Sequence, residues 1–91
     1  MFRKIKGGID QMRILNQDDN KAVNNVLILL TMEEAAELKD DLERLLSKKI
    51  TNDHSHINDL EYEHELSISL YDENNIEGFD DRTKKLILQD E

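Results

Sequence analysis

The sequence predicts an α+β fold, a small antiparallel sheet with helices packed on one face and the elements in the order ββαββα. Three observations lead to this prediction. A capping-box pattern opens a long amphipathic helix near the middle of the chain, alternating apolar residues follow it, and a second helical pattern ends the chain. Turn-forming residues separate the strand candidates at short spacings, which is typical of hairpins.

A first hairpin is expected in the N-terminal third of the chain. A short strand over 11–16 is joined to a longer strand over 22–31 by the turn-forming stretch 16–21. The second strand contains the longest apolar run of the sequence, Val26 to Leu30. Such a run indicates a strand that is covered on both faces or paired in a dimer.

A long helix is predicted from Met32 to about Lys49. Thr31 and Glu34 fit the capping box, in which the Thr hydroxyl accepts from a backbone amide while the Glu carboxylate reaches back to the cap. Apolar residues then recur at spacings of three and four, so that they form one stripe along the helix. The stripe consists of Ala35, Leu38, Leu42, Leu45 and Leu46.

A second hairpin and a terminal helix complete the predicted fold. Apolar and polar residues alternate from His64 to Tyr71, with the period of two that is expected of a half-buried strand. The stretch 72–75 is typical of a turn, and Asp80 is the predicted N-cap of a C-terminal helix. One face of that helix carries Phe79, Thr83, Leu86 and Ile87.

The domain organisation follows from the position of the glycines. Gly7 and Gly8 separate a basic N-terminal tip, residues 1–10, from the remainder of the chain. Residues 11–91 are then expected to form a single α+β domain.

The charge distribution limits the classes of function. The 91 residues carry 12 basic and 21 acidic side chains, which give a formal net charge of −9. Residues 1–30 hold five basic and three acidic side chains, whereas residues 31–91 hold seven and eighteen. A binder of nucleic acid needs a basic surface for the phosphates, so direct binding of nucleic acid is not expected. A basic protein is the more natural partner.

The expected location of the protein is the cytoplasm. The chain has no cysteine, which removes both disulfides and thiolate metal sites. Its N-terminal stretch lacks the apolar middle of a secretory signal, and no apolar run is long enough to span a bilayer. No membrane association is therefore expected.

All three histidines lie in the stretch "DHSHINDLEYEHE", residues 53–65. A turn at residues 59–60 would place His54 and His56 on the solvent face of a hairpin and point His64 toward the apolar side. This register pairs His56 with Glu63, and His54 with Glu65.

Two interpretations of the stretch remain open. Imidazoles beside carboxylates suit a divalent metal such as zinc, with His54, His56, Glu63 and Glu65 as candidate ligands. The alternative is a set of cross-strand His–Glu pairs that keep the strands polar. A Ser-His-Asp set built on His64 would lack any accompanying oxyanion element, so no catalytic residue is predicted.

The function expected from these patterns is that of a small acidic protein-interaction module without enzymatic activity or cofactor. The apolar run 26–30 exceeds what one thin sheet face would bury, which predicts a homodimer. Glu33, Glu37 and Asp40 on the long helix are the candidate residues for binding a basic partner. A bacterial or phage inhibitor or immunity-type accessory protein would fit such a chain, and a metal-binding protein is the alternative.

Overall fold

The computed structural model describes residues 11–48, 53–72 and 74–91. These residues form two helices and four strands, so the protein is mixed α+β, as predicted. In chain order the elements are β1 (Leu15–Asn16), β2 (Lys21–Ala22), α1 (Met32–Lys48), β3 (His54–Asn58), β4 (Glu65–Ser69) and α2 (Asp81–Gln89). The strands form two separate antiparallel pairs, β1 with β2 and β3 with β4, where one sheet was predicted.

The contacts between residues divide the chain into two compact units. Of the described residues, 11–26, 72 and 74–91 form the first unit, and 27–48 and 53–71 form the second. The first unit therefore contains β1, β2 and α2, and the second contains α1, β3 and β4. The predicted N-terminal tip, residues 1–10, lies outside the described residues, and the single domain over 11–91 stays a prediction.

The hairpin of the first unit forms where the turn residues predict it. Leu15 pairs with Ala22, and the Val23 amide donates to the Ile14 carbonyl oxygen at 2.9 Å. Between the strands, the side chains of Asn16 and Asp19 accept from backbone amides two residues further along the chain. These local bonds are the reason that Asn and Asp favour turns.

The predicted second strand, residues 22–31, is wrong for most of its length. Strand β2 ends at Ala22, and residues 23–31 belong to no helix or strand. Because β1 has only two residues, it pairs only with Lys21 and Ala22, and the Val23 amide bonds to Ile14, which precedes β1. Asn24 and Asn25, which favour turns, come next in the sequence.

Helix α2 begins and ends at well-defined caps. The Asp80 carboxylate accepts from the Thr83 amide at 2.7 Å, which confirms the predicted N-cap. At the other end Asp90 is left-handed, with a φ of 55°, and its amide donates to the Leu86 carbonyl oxygen. Phe79, Leu86 and Ile87 are buried, as the shared face predicts.

Two arginines join the first hairpin to α2. The Arg13 Nε atom donates to the Leu86 carbonyl oxygen at 3.0 Å, and its second terminal nitrogen donates to that of Ile87 at 3.2 Å. The Arg82 guanidinium donates to the side-chain and main-chain oxygens of Asn20, at 2.9 and 3.0 Å. Arg13 therefore donates hydrogen bonds to carbonyl groups at the end of the helix, and Arg82 of the helix donates hydrogen bonds to the turn of the hairpin.

Helix α1 begins with the predicted capping box. The Glu34 amide donates to the Thr31 hydroxyl oxygen at 3.1 Å, and the Thr31 amide donates to the Glu34 carboxylate at 2.9 Å. The predicted stripe is buried only in part. Leu45 is fully buried, Leu38 and Leu42 are half-buried, and Ala35 and Leu46 are exposed.

The second unit is held together by contacts between the end of α1 and β3. Ile57 and Ser55, which share one face of β3, are both buried, as is Leu45. The Arg44 guanidinium donates to the Ser55 hydroxyl oxygen and, at 3.4 Å, to the Asp53 carboxylate. The buried hydroxyl group is thereby satisfied, which keeps the cost of its burial low.

Candidate functional site

The hairpin of β3 and β4 carries the candidate metal residues. Its register pairs His56 with Ser67 and His54 with Ser69. The predicted pairs of these histidines with Glu63 and Glu65 are therefore wrong by four residues. The predicted faces of His54 and His56 are nevertheless correct, because a shift of the register by an even number of residues leaves every side chain on the same side of the sheet. His54 and His56 occupy the face opposite Ser55 and Ile57.

The loop length accounts for the difference in register. The sequence predicts a two-residue turn at 59–60, whereas β3 ends at Asn58 and β4 begins at Glu65. The connection therefore has six residues. It is closed by the Asp59 amide, which donates to the His64 carbonyl oxygen at 3.2 Å, and by the Tyr62 amide, which donates to the Asp59 carbonyl oxygen at 3.0 Å.

His54 and His56 lie side by side on the exposed face of β3. Their rings are stacked, with centroids 6.0 Å apart and an angle of 21° between the planes. The Nδ1 atom of His56 lies 3.1 Å from a carboxylate oxygen of Glu65 and 2.9 Å from the hydroxyl oxygen of Ser67. The Ser67 hydroxyl in turn donates to the same Glu65 oxygen at 3.1 Å.

Glu63 and His64 do not join this group. The Glu63 amide donates to the Asp59 carboxylate at 2.8 Å, within the loop. The predicted orientation of His64 toward the apolar side is wrong, since its side chain is 81% exposed. Its Nδ1 atom lies 2.5 Å from the Asp59 carboxylate. The His64 ring therefore lies against the loop and not on the apolar face of the hairpin.

The Asp59–His64 pair shifts the pKa of both partners. The hydrogen bond to the His64 side chain, followed by that from its backbone amide, lowers the pKa of the Asp59 carboxyl group. The same side-chain bond, followed by the negative charge of Asp59, raises the pKa of His64. The sequence predicted no role for Asp59 beyond that of a turn residue, although an Asx-type loop opening was a visible signal.

The described residues contain no group of three or more His, Cys, Asp and Glu side chains that would enclose a metal ion. Of the four candidate ligands, the structure brings together His54, His56 and Glu65 on one face and leaves Glu63 in the loop. This face presents two imidazole rings to a cation, and the Glu65 carboxylate lies behind the ring of His56.

The acidic candidate residues lie on α1. Glu33, Glu37 and Asp40 are all exposed, and their spacing of four and three places them on one side of the helix. Glu34, by contrast, is engaged in the capping box. We call these three exposed residues the acidic face.

Large apolar side chains are exposed in the second unit. Leu27 is 80% exposed and Leu29 is 84% exposed, and Ile28 lies between them. None of the hydrogen bonds among the described residues involves the backbone of residues 27–30. We call residues 27–30 the apolar segment. Met32, Leu60 and Tyr62 are further exposed apolar residues of this unit, the last two in the β3–β4 loop.

Comparisons with known proteins identify no relative. No protein-family model, no curated protein and no solved structure matches the chain. In the part of the chain that the structure describes, neither helix has both the length and the apolar character needed to cross a membrane.

Proposed function

We propose that the chain is a non-enzymatic protein-interaction module that forms a homodimer through the apolar segment. The observation that supports this proposal is the exposure of Leu27 and Leu29, which together with Ile28 would leave a contiguous apolar surface in water. Contiguous exposed apolar surface is typical of sites that bind another protein.

A second copy of the chain is the proposed occupant because the segment combines apolar side chains with a backbone that makes no hydrogen bond to a described residue. Extended backbone without hydrogen-bond partners pairs readily with another strand. Two identical segments related by a two-fold axis would pair in antiparallel fashion, so that residue i of one copy lies opposite residue j of the other and j lies opposite i. Such pairing would complete the strand that the sequence predicts over 22–31.

The area of the interface requires more than the four residues of the segment. A stable protein–protein interface buries about 1,200–2,000 Å² in total. Met32, which is exposed and follows the segment by two residues, is the natural extension of the contact. In the dimer its side chain would add to the apolar surface that leaves water.

The acidic face is proposed to bind a basic protein. Glu33, Glu37 and Asp40 present three carboxylates within two turns of α1, and the net charge of −9 adds a longer-range attraction for cationic partners. A cytoplasmic inhibitor or immunity-type protein that covers a basic active site is the biological role that suits this arrangement.

The dimer is tested by measuring molecular mass in solution. Light scattering of the untagged chain is expected to give a dimer, and the double variant Leu27→Glu, Leu29→Glu is expected to give a monomer. The matched control is Leu88→Glu, which introduces one charge at an exposed leucine of the first unit. A monomeric wild-type chain at high concentration would refute the proposed dimer.

The basic partner is tested by charge reversal. The variant with Glu33, Glu37 and Asp40 changed to Lys should lose binding to a cationic protein such as a basic nuclease. A control with three other exposed acidic residues changed to Lys has the same net charge, and its sites are Glu61, Glu63 and Glu77. Equal loss in both variants would show that net charge, and not the acidic face, governs binding.

A further inference from the structure

We propose that Nε2 atoms of His54 and His56 form a two-histidine site for a divalent transition-metal ion, and that Glu65 is a positioning residue for His56. This inference does not depend on the proposed dimer. It rests on the geometry of one face of the β3–β4 hairpin.

The contacts of His56 fix which ring nitrogen carries the proton. An ionised carboxylate only accepts hydrogen bonds, so the Nδ1 atom that lies 3.1 Å from Glu65 must be the donor. The Ser67 hydroxyl donates its own proton to Glu65, and its oxygen therefore also accepts from His56 Nδ1. In the neutral imidazole, the lone pair then lies on Nε2, the atom that faces away from the carboxylate.

This arrangement is the one that metal-binding histidines use. A histidine ligand usually donates its second ring N–H to a carboxylate, which fixes the tautomer and makes the coordinating nitrogen more basic. Glu65 and Ser67 together provide that support for His56 before any ion arrives. A negative charge behind the ring also offsets part of the positive charge of the ion.

His54 supplies the second nitrogen. Residues two apart on a strand point to the same side, and the stacked rings, with centroids 6.0 Å apart, lie next to each other. Two metal–nitrogen bonds of about 2.0–2.1 Å can then reach one ion after small rotations of the exposed rings. The His54 ring makes no hydrogen bond to a described residue, so among the described residues only its stacking on His56 opposes such a rotation.

The donor set selects the class of ion. Imidazole nitrogen suits zinc, copper and nickel, whereas calcium and magnesium prefer sites built from oxygen. With two protein ligands, water fills the remaining positions. The proposed site is therefore open, with moderate affinity. It keeps His54 and His56 from the metal-binding interpretation of the sequence, but Glu63 is absent from it and Glu65 positions His56 instead of binding the ion.

Titration of zinc chloride into the untagged chain, followed by calorimetry and by native mass spectrometry, tests the site. We expect one ion per chain, and no binding by the double variant His54→Ala, His56→Ala. The matched control is His64→Ala, which removes an exposed histidine of the same hairpin and should bind one ion as before. Zinc binding that survives the double variant, or that is lost in the control, would overturn the site.

The role of Glu65 is tested by a second pair of variants. Glu65→Ala should weaken zinc binding about 10–100-fold, the usual effect of losing a carboxylate behind a ligand, whereas Glu63→Ala should leave it unchanged. The ¹⁵N shifts of the His56 ring without metal provide an independent readout. They should show a proton on Nδ1 in the wild type and a mixture of tautomers in Glu65→Ala. Equal tautomer populations in the wild type would refute the positioning role.

Discussion

Asp59 and His64 close the β3–β4 loop through their side chains, with a carboxylate oxygen of Asp59 2.5 Å from Nδ1 of His64. The same carboxylate accepts from the backbone amides of Glu63 and His64, at 2.8 and 3.2 Å. One side chain therefore holds both ends of the loop, and its charge state governs how firmly the loop is held.

The first prediction concerns pH. The raised pKa of His64 means that its contribution to stability is fully present below the usual value of 6.5 and is lost as pH rises through the raised value. The lowered pKa of Asp59 means that its contribution is present above the usual value of 3.8 and is lost as pH falls through the lowered value. The pair therefore stabilises the loop most between these two usual values.

An NMR titration of the His64 ring measures this directly. The midpoint should lie above 6.5 in the wild type and should fall in Asp59→Asn, which keeps the size of the side chain but removes its charge. Glu61→Gln, a change at another exposed carboxylate of the loop, is the control. An unchanged His64 midpoint in Asp59→Asn would contradict the coupling.

The second prediction concerns the core of the second unit. Leu45 is fully buried, whereas its neighbour Leu46 is 61% exposed. Leu45→Ala should lower the free energy of unfolding by about 2–5 kcal/mol, because it removes buried methyl groups and leaves a cavity. Leu46→Ala should change it by less than about 0.5 kcal/mol. Urea denaturation followed by circular dichroism compares the two, and similar losses would contradict the observed burial.

Features set by a few neighbouring residues could be predicted from the sequence. The capping box of Thr31 and Glu34 and the N-cap at Asp80 each depend on contacts over three residues, so the residue types and their spacing were sufficient. For the same reason the faces of β3 were assigned correctly. A period of two identifies which side chains share a face, whatever the partner strand.

Features set by distant parts of the chain could not be predicted. The register of β3 with β4 depends on a six-residue loop. Asp59 signals in the sequence that a loop opens there, but it does not fix whether the loop has two residues or six. Glu63 was therefore placed beside His56, although Ser67 occupies that position. The apolar run 26–30 predicted a strand, but a strand needs a partner, and β1 is too short to provide one.

The third prediction concerns Arg13. Its side chain is only 7% exposed, and its guanidinium donates to carbonyl groups near the end of α2. Arg13→Ala should destabilise the protein by about 1.5–3 kcal/mol, the range for a hydrogen bond from a charged group. Arg13→Lys should recover only part of this loss, since an ammonium group cannot donate in the same forked geometry.

Urea denaturation of the three proteins under identical conditions gives these differences. Arg82→Lys is the comparison. Arg82 also joins the hairpin to α2, but it bonds to Asn20 in the turn, and these bonds are exposed. If Arg13→Lys is as stable as the wild type, the forked contact with the helix carbonyls contributes nothing to stability.

The last prediction follows the backbone of the apolar segment. Amides without hydrogen bonds exchange with solvent at rates close to those of an unfolded chain, whereas amides paired in a strand are protected. In the Leu27→Glu, Leu29→Glu variant, which should be monomeric, the amides of residues 27–30 should therefore exchange rapidly. In the wild type at a concentration that favours the dimer, pairing of two segments should protect alternate amides of the same stretch.

Hydrogen exchange measured by NMR resolves individual positions, and the Leu42 and Leu45 amides in α1 should be protected in both proteins and serve as the internal reference. Rapid exchange of the segment in a wild-type dimer would mean that the two copies associate through side chains or through another surface, and not by pairing of these backbones.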